Sequence, residues 1–237
     1  MSRFIQKIKR SSLTTGVALL CAGLGNRIKS NEPRSLIKIG GSCLLNWQLD
    51  ALSSMFAKPN ILVGVGIESQ KIMKKFSGQV SFIENQLYET TGSFETLRLL
   101  VNASTDDSIL LVHGDLYFNS DILETADFSK SFLVLDTTNS IADREVGMTM
   151  VNDKVSILSY GLKDKWAQMA FFTGKELTML RQMCYKTNQE SKSLLTFEVI
   201  NSIINKGGSF QVHKTNKTFI VEIDCMKDIK NENFNIK

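Results

Sequence analysis

Short apolar runs alternate with longer amphipathic segments through the first half of the chain. The apolar runs are GVALLC (16–21), NILVGV (60–65), VSFIE (80–84) and SILLVH (108–113). Apolar residues at successive positions are typical of parallel strands that are buried on both faces. Two helices are predicted between these strands, one from the stripe Leu45, Leu49, Leu52 and Phe56 and one from Phe94, Leu97 and Val101. This βαβ alternation predicts a doubly wound α/β sheet.

The second half is less regular and predicts a mixed sheet. Its strand-like runs are SFLVLD (131–136), VSILSY (155–160), QMAFFT (168–173) and FIVEID (219–224), and its helix-like segments cover 174–186 and 194–206. No Pro-rich or Gly/Ser-rich linker separates the halves, so we expect one domain over residues 16–237 after an extension over residues 1–15. The predicted fold is a three-layer α/β arrangement around a mixed, mostly parallel sheet, with the last strand returning to its centre.

Positive charge is concentrated at the N-terminus. The formal net charge is +4, and residues 1–15 contain Arg3, Lys7, Lys9 and Arg10 but no acidic residue. Without these four charges the domain is neutral, which argues against nucleic-acid binding. The apolar runs are too short to span a bilayer and no secretory signal is recognised, so we expect a cytoplasmic protein without an integral membrane segment.

The cysteines and histidines do not suggest a zinc site. None of the cysteines forms a CxxC pair, and only two histidines are present. We therefore expect free, buried thiols in a reducing compartment. The residues are Cys21, Cys43, Cys184, Cys225, His113 and His213.

A glycine-rich loop, Ala22-Gly23-Leu24-Gly25-Asn26-Arg27, follows the first predicted strand. In open α/β sheets, ligands bind at the carboxyl ends of the strands. Glycines let backbone amides approach an anion closely, and Arg27 adds a permanent planar charge. The loop matches neither GxxxxGK[ST] nor GxGxxG, so by itself it is as consistent with a structural turn as with a phosphate site.

Two aspartates at predicted strand ends favour the phosphate site. Asp115 follows the run SILLVH and a glycine, and Asp224 closes the run FIVEID. A single aspartate at such a place is more often a helix cap. If the two strands are neighbours, however, both carboxylates approach the glycine loop and can share Mg²⁺ with substrate phosphates.

These residues resemble the nucleotidyltransferase family with a GT-A-like fold. The family signature LAAGxGxRxxxxxPK is similar to LCAGLGNRIKSNEPR (20–34), and the family's GD and EIDxxxD motifs are similar to Gly114-Asp115 and to residues 222–228. The stretch ENQLYETTGSFETL (84–97) resembles the N-x-x-Y-x-x-T-x-S-x-x-[ST]-L motif of the phosphocholine and phosphonate cytidylyltransferase branch. The matches run in order over nearly the whole chain.

The resemblance implies a Rossmann-like fold and Mg²⁺-dependent transfer of a nucleoside monophosphate, with CTP favoured, to a phosphorylated or phosphonate acceptor, with release of pyrophosphate. It implies a role in cell-surface polysaccharide or lipid decoration and allows a homodimer. Asp115 and Asp224 would bind the metal, and Arg27, Arg34 and Asp115 would act in catalysis. The predicted nucleotide-binding residues are Ala22, Gly23, Leu24, Gly25, Asn26, Arg27, Asn85, Thr91, Gly92 and Ser93. In this set, Thr91, Gly92 and Ser93 would offer backbone N–H groups and a hydroxyl.

The chain departs from the family pattern at Arg34, which occupies the place of the lysine in the Pro-Lys pair. Arginine keeps the charge but not the compact ammonium group. Two alternatives therefore stay open: a sugar-1-phosphate nucleotidyltransferase that uses UTP, dTTP or GTP, and a catalytically impaired nucleotide-binding module.

The sequence also leaves open which residues bind the acceptor. The aromatic residues Trp166, Tyr160, Phe171 and Phe172 are expected in the core, with a wall for a quaternary ammonium group as the alternative. Asp136, Asp143 and Glu145 are candidates for binding a cationic acceptor group or are surface carboxylates.

Overall fold

The computed structural model describes residues 14–23, 33–186, 188–216 and 218–223. The strands are β1 (Thr15–Cys21), β2 (Lys38–Ile39), β3 (Ser42–Cys43), β4 (Asn60–Val65), β5 (Ser81–Glu84), β6 (Ser108–His113), β7 (Leu116–Phe118), β8 (Phe132–Leu135), β9 (Val146–Val151), β10 (Lys154–Tyr160), β11 (Asp164–Thr173), β12 (Gln211–Lys214) and β13 (Ile220–Glu222). The helices are α1 (Leu44–Met55), α2 (Ser69–Lys75), α3 (Ser93–Ala103), α4 (Gly174–Tyr185) and α5 (Thr196–Asn205). Short 3₁₀ turns cover Arg34–Leu36 and Ser191–Ser193.

Within these residues, nine strands form the central sheet in the order β5-β4-β1-β6-β11-β8-β12-β10-β9. The first four are parallel neighbours, which confirms the βαβ prediction for the first half. Strands β10 and β11 run opposite to the others, so the sheet is mixed and mostly parallel, as expected. The carboxyl ends of β1, β4, β5 and β6 consequently lie along one edge.

Two hydrophobic cores, one on each face of the sheet, confirm the three-layer prediction. Alternate residues of β1 divide between them: Val17 and Leu19 pack with α1 and α2, whereas Ala18 and Leu20 pack with α3, α4 and α5. Successive side chains of a strand point to opposite faces, so a strand covered on both sides has no polar alternation. This arrangement explains the unbroken apolar run at 16–21.

The predicted position of the last strand is wrong. Strand β13 does not enter the central sheet but pairs antiparallel with β7 in a separate two-stranded sheet, with Glu222 opposite Leu116. Because β7 begins one residue after Asp115, this pairing brings the late strand to the end of β6. The backbone N–H of Ile223 donates a hydrogen bond of 2.7 Å to the Asp115 carbonyl oxygen.

The remaining expectations from composition have mixed outcomes. Cys21, Cys43 and Cys184 are buried and form no disulfide within the described residues, as predicted, whereas Cys225 lies outside them. In the part of the chain that the structure describes, no helix is long and apolar enough to cross a bilayer.

Candidate active site

A cavity of about 210 Å³ opens at the carboxyl edge of the sheet. All seven described residues that were predicted to bind nucleotide or metal line it, although they come from separate segments of the chain. The lining residues are Leu20, Ala22, Gly23, Asn85, Tyr88, Thr91, Gly92, Ser93, Thr96, His113 and Asp115. The fold thus brings together the residues after β1, the turn after β5, the start of α3 and the end of β6.

Gly114 allows the end of β6 to pack tightly against the end of β1. Its N–H donates a 2.9 Å hydrogen bond to the carbonyl oxygen of Leu20. A Cβ at this position would lie 2.7 Å from the Cys21 sulfur and closer still to the Leu20 carbonyl oxygen. Only glycine fits such a close approach, and it places Asp115 directly beside the start of the glycine-rich loop.

The buried side chain of Gln48, on α1, is hydrogen-bonded to the turn that contains Gly114 and Asp115. Its amide nitrogen donates to the carbonyl oxygen of His113 at 3.2 Å and to that of Leu116 at 2.8 Å. These two carbonyls flank Gly114 and Asp115, so one amide fixes both sides of the turn. The sequence signal for this residue is a lone polar position on the apolar face of α1, which by itself does not indicate a function.

Asp115, which lines the cavity, forms an ion pair with Arg34. Arg34 Nη1 donates to Asp115 Oδ2 at 2.5 Å, with the two side chains 21% and 15% exposed. Asp115 Oδ1 is buried and accepts no hydrogen bond from the described residues. The negative charge also acts on its surroundings, because burial and then Asp115 raise the pKa of the neighbouring Cys21 thiol.

The buried amide of Asn85 organises the loop between β5 and α3. Its nitrogen donates to Thr91 Oγ1 at 3.2 Å and to Thr96 Oγ1 at 3.1 Å, and its oxygen accepts the Leu87 N–H at 3.0 Å. Asn85 therefore shapes this end of the cavity. The half-buried Tyr88 lines the same end and packs close to Gly66. The sequence indicates Tyr88 only as part of the motif at residues 84–97.

The start of α3 is hydrogen-bonded to the segment that precedes α5. The Gly92 N–H donates to the Lys192 carbonyl oxygen at 2.8 Å and the Phe94 N–H to that of Leu194 at 3.1 Å. A Cβ at Gly92 would collide with the carbonyl oxygens of Ser193 and Leu194. The Gly92 N–H, which was predicted to be available to the nucleotide, thus already donates a hydrogen bond within the protein. Glycine is needed at this position because two backbone segments lie very close together.

Ser93 and His113 meet at Thr196, the first residue of α5. The N-cap of α3 is Gly92, so Ser93 does not cap its own helix but accepts the Thr196 N–H at 3.0 Å. His113 Nε2 lies 2.9 Å from Thr196 Oγ1. Burial lowers the pKa of His113, with the charges of Asp115 and Arg34 acting in opposite directions. The sequence did not indicate Thr196 or a binding role for His113.

The residues considered for the acceptor do not form an aromatic wall. Trp166, Phe171 and Phe172 are buried in the two cores, as expected, and Tyr160 is about half exposed against Phe197. Two of the carboxylates instead stabilise loops. The buried Asp136 accepts hydrogen bonds from Thr138 and Asn139, and Glu145 accepts one from Lys165 at 2.6 Å. Asp143 is exposed.

Several predicted site residues cannot be placed, and their roles stay predictions. Leu24, Gly25, Asn26, Arg27 and Asp224 lie outside the described residues. Asp224 directly follows Ile223, whose N–H bonds to the Asp115 carbonyl, so the expected approach of the two motifs is observed up to the preceding residue.

A larger cavity of about 550 Å³ lies elsewhere, among Leu49, Pro59, Asn60, Gln79 and Ser81. It is located at the amino ends of β4 and β5, on the edge opposite Asp115. Ligands of open α/β sheets bind at the carboxyl edge, so position favours the smaller cavity as the candidate active site.

Residues 17–126 match the family model of the MobA-like NTP transferase domain. The bifunctional protein GlmU of Methanocaldococcus jannaschii is 25% identical over 145 residues, which is 59% of this chain and 34% of that protein. The chain thus spans about a third of the length of this curated relative.

Two solved structures have the same fold over nearly the whole chain. CTP:phosphocholine cytidylyltransferase from Streptococcus pneumoniae superimposes with a TM-score of 0.71 at 19% identity, covering 92% of this chain and 97% of that one. A putative glucose-1-phosphate thymidylyltransferase from Bacillus anthracis gives 0.76 at 14% identity, covering 92% and 93%. Residues 17–126 are therefore similar to the MobA-like NTP transferase domain, and the chain has the fold of these two nucleotidyltransferase structures.

Proposed function

We propose that the protein transfers CMP from CTP to a phosphorylated or phosphonate small molecule and releases pyrophosphate. The observation that carries this proposal is the position of Asp115. Its carboxylate has one oxygen paired with Arg34 and the other buried without a hydrogen-bond partner among the described residues, and it lines a cavity where the glycine-rich loop begins. A buried, half-satisfied carboxylate is costly unless a ligand completes it.

Mg²⁺ is the ligand that fits this carboxylate. Magnesium is commonly held by one or two carboxylates together with substrate phosphates. Asp115, with Asp224 as the second candidate, would supply these carboxylates. The described residues contain no group of three or more metal-ligating side chains, so substrate phosphates would have to complete the metal's ligands. The bound ion would neutralise charge on the phosphates.

The remaining chemistry consists of positioning. An anionic oxygen of the acceptor attacks the α-phosphorus in line; the new P–O bond forms as the bond to the β-phosphate oxygen breaks and pyrophosphate leaves. The nucleophile is already ionised, so no general base is required. Arg34 would place its charge where two phosphates approach each other, and Gly23 to Arg27 would bind the β- and γ-phosphates through backbone amides.

For the nucleoside, Asn85, Tyr88 and Thr91 would surround the base. The choice of CTP follows from the motif at residues 84–97 and is supported by the fold shared with a phosphocholine cytidylyltransferase. The second candidate is a sugar-1-phosphate nucleotidyltransferase that uses UTP, dTTP or GTP. It is favoured by the GlmU relatives and the thymidylyltransferase neighbour.

Pyrophosphate release tests the proposal. Each of the common NTPs would be combined with Mg²⁺ and with phosphocholine, 2-aminoethylphosphonate, glycerol phosphate or sugar 1-phosphates. We expect the highest kcat/KM with CTP and a phosphorylated or phosphonate alcohol or amine. A maximum with UTP or dTTP and a sugar 1-phosphate would favour the second candidate. CTP binding without release in the whole panel would indicate a binding module.

The variant Asp115→Asn tests the site within the same assay. It should lower kcat by about a thousandfold, because an amide cannot supply the charge that holds the metal. The exposed carboxylate Asp121 provides a matched control, and Asp121→Asn should leave turnover unchanged. Full activity of Asp115→Asn would refute the metal site.

A further inference from the structure

Three residues from distant segments meet at the wall of the cavity. His113 ends β6, Thr196 begins α5 and Ser93 begins α3. His113 Nε2 lies 2.9 Å from Thr196 Oγ1, and the Thr196 N–H donates to Ser93 Oγ at 3.0 Å. The serine hydroxyl also lies 3.5 Å from the threonine hydroxyl. This network holds the imidazole in one orientation, with Nε2 already engaged.

Nδ1, the other ring nitrogen of His113, is available to a ligand. The ring lines the cavity and packs edge-on against Trp166 at a centroid distance of 5.7 Å. In the described part of the chain, no residue provides a hydrogen-bond partner for Nδ1. Nδ1 is not one of the buried side-chain atoms that lack a partner, so it is accessible to water or to a ligand in the cavity.

His113 connects two groups of residues that line the cavity. The first group is Asn85, Tyr88 and Thr91, and the second is Gly23 and Asp115. His113 is two residues before Asp115 in the chain, and through Thr196 it contacts Ser93, which follows Thr91 by two residues. In a nucleotide with its base at the first group and its phosphates at Asp115, the sugar would be near His113.

We propose that His113, held by Thr196 and Ser93, binds the ribose hydroxyls of the nucleotide and selects ribonucleoside over 2′-deoxyribonucleoside triphosphates. This inference rests on the proposed function and specifies its substrate class. A site built to hydrogen-bond a hydroxyl rejects the analogue without it, because the buried partner is then left unpaired. A single such bond corresponds to a preference of about 10- to 100-fold.

The test is the dissociation constant of CTP and of dCTP, measured by calorimetry with Mg²⁺ on the full chain, so that it does not depend on turnover. The wild type should bind CTP about 10-fold or more tightly than dCTP. His113→Phe keeps the aromatic contact with Trp166 but has no ring nitrogen, and it should weaken CTP binding while leaving dCTP binding nearly unchanged. Equal affinities in the wild type, or an unchanged ratio in His113→Phe, would overturn the inference.

Three further variants separate recognition from packing. His113→Asn places an amide where Nδ1 lies and should recover part of the preference, whereas a purely structural role would make it no better than His113→Phe. Thr196→Val removes the hydroxyl that orients the ring and should lower the ratio at least about threefold. The other buried histidine, His213, hydrogen-bonds to Ile122 away from the cavity, and His213→Phe should leave the ratio unchanged.

The outcomes also distinguish this inference from the proposed function. A ribonucleotide preference that depends on His113, without transfer to any acceptor, would refute the transferase activity and retain the ribose subsite. The same measurement with UTP and dUTP covers the second candidate. Failure to bind any of these nucleotides would overturn both proposals.

Discussion

Arg34 Nη1 lies 2.5 Å from Asp115 Oδ2, so an arginine in the position of the family's lysine is paired with the proposed metal-binding carboxylate. The guanidinium is close enough to stabilise the carboxylate's charge, while Asp115 Oδ1 stays without a hydrogen-bond partner among the described residues. The pair joins the 3₁₀ turn after Pro33 to the end of β6. It positions a permanent positive charge at the edge where phosphates are expected.

Replacing Arg34 with lysine should preserve transfer within about tenfold, because the ammonium keeps the charge beside Asp115. Arg34→Met keeps an unbranched stem without charge and should lower kcat by about 100-fold or more. Steady-state kinetics with CTP and the best acceptor compare the two. If Arg34→Lys loses as much activity as Arg34→Met, transfer requires the planar guanidinium group and not only its charge.

A methyl group at Gly114 should destabilise the fold. It would overlap the Leu20 carbonyl oxygen, and overpacking of this kind costs about 2 kcal/mol, or roughly 5 °C in Tm for a chain of this size. Gly23→Ala is the matched control, since a Cβ there has no atom of the described residues within 4 Å. Thermal unfolding should therefore separate the variants, while Gly23→Ala should raise the KM for CTP. Equal Tm values would contradict the close packing of β1 and β6.

Gln48→Met should reduce both stability and turnover. It removes the donor to the carbonyls of His113 and Leu116, and unsatisfied buried carbonyls cost about 1–3 kcal/mol. The turn that carries Asp115 is then held less firmly, so kcat should fall while the KM for CTP changes little. Leu52→Met, on the same helix, controls for altered packing. A full kcat in Gln48→Met would show that the amide does not position Asp115.

His213 should make stability depend on pH. Burial lowers its pKa below the ordinary value of 6.5, against the opposing hydrogen bond to the Ile122 carbonyl. The unfolded chain therefore binds the proton more readily than the folded chain. The contribution of neutral His213 to the free energy of unfolding is complete above about pH 6.5 and is lost as the pH falls towards the folded-state pKa.

His213→Gln keeps an N–H donor for Ile122 but cannot titrate. Its free energy of unfolding, measured by denaturant titration from pH 5 to pH 8, should fall less steeply below pH 6.5 than that of the wild type. The difference in slope cannot exceed about 1.4 kcal/mol per pH unit for one proton. Parallel pH profiles would show that His213 has the same pKa in both states.

The sequence predicted the part of the fold that periodicity determines. β1, β4 and β6 are buried on both faces, so their apolar runs identified them. β5 was also predicted, but it lies at the edge of the sheet and is only partly buried, so the expected burial on both faces is wrong for this strand. Strand β9, which mixes buried and exposed positions, was not predicted. The pairing of β13 with β7 was also missed, because pairing partners are not encoded in the pattern of a single strand.

The same distinction applies to the site. The sequence allows Asn85, Thr91, Ser93 and Asp115 to be predicted as site residues because each belongs to a local motif. The contact of His113 with Thr196 joins residues 83 positions apart and has no local signature. Asp136 was a candidate ligand by residue type, but its oxygens are occupied by the turn that follows β8.

A crystal structure with CTP and Mg²⁺ tests the central claim most directly. The proposed function predicts that the nucleotide occupies the cavity at the carboxyl edge, with cytosine beside Tyr88 and Asn85, ribose at His113, and phosphates and metal at Asp115. Nucleotide bound at the opposite edge between Pro59 and Gln79, or phosphates and metal without contact to Asp115, would contradict it.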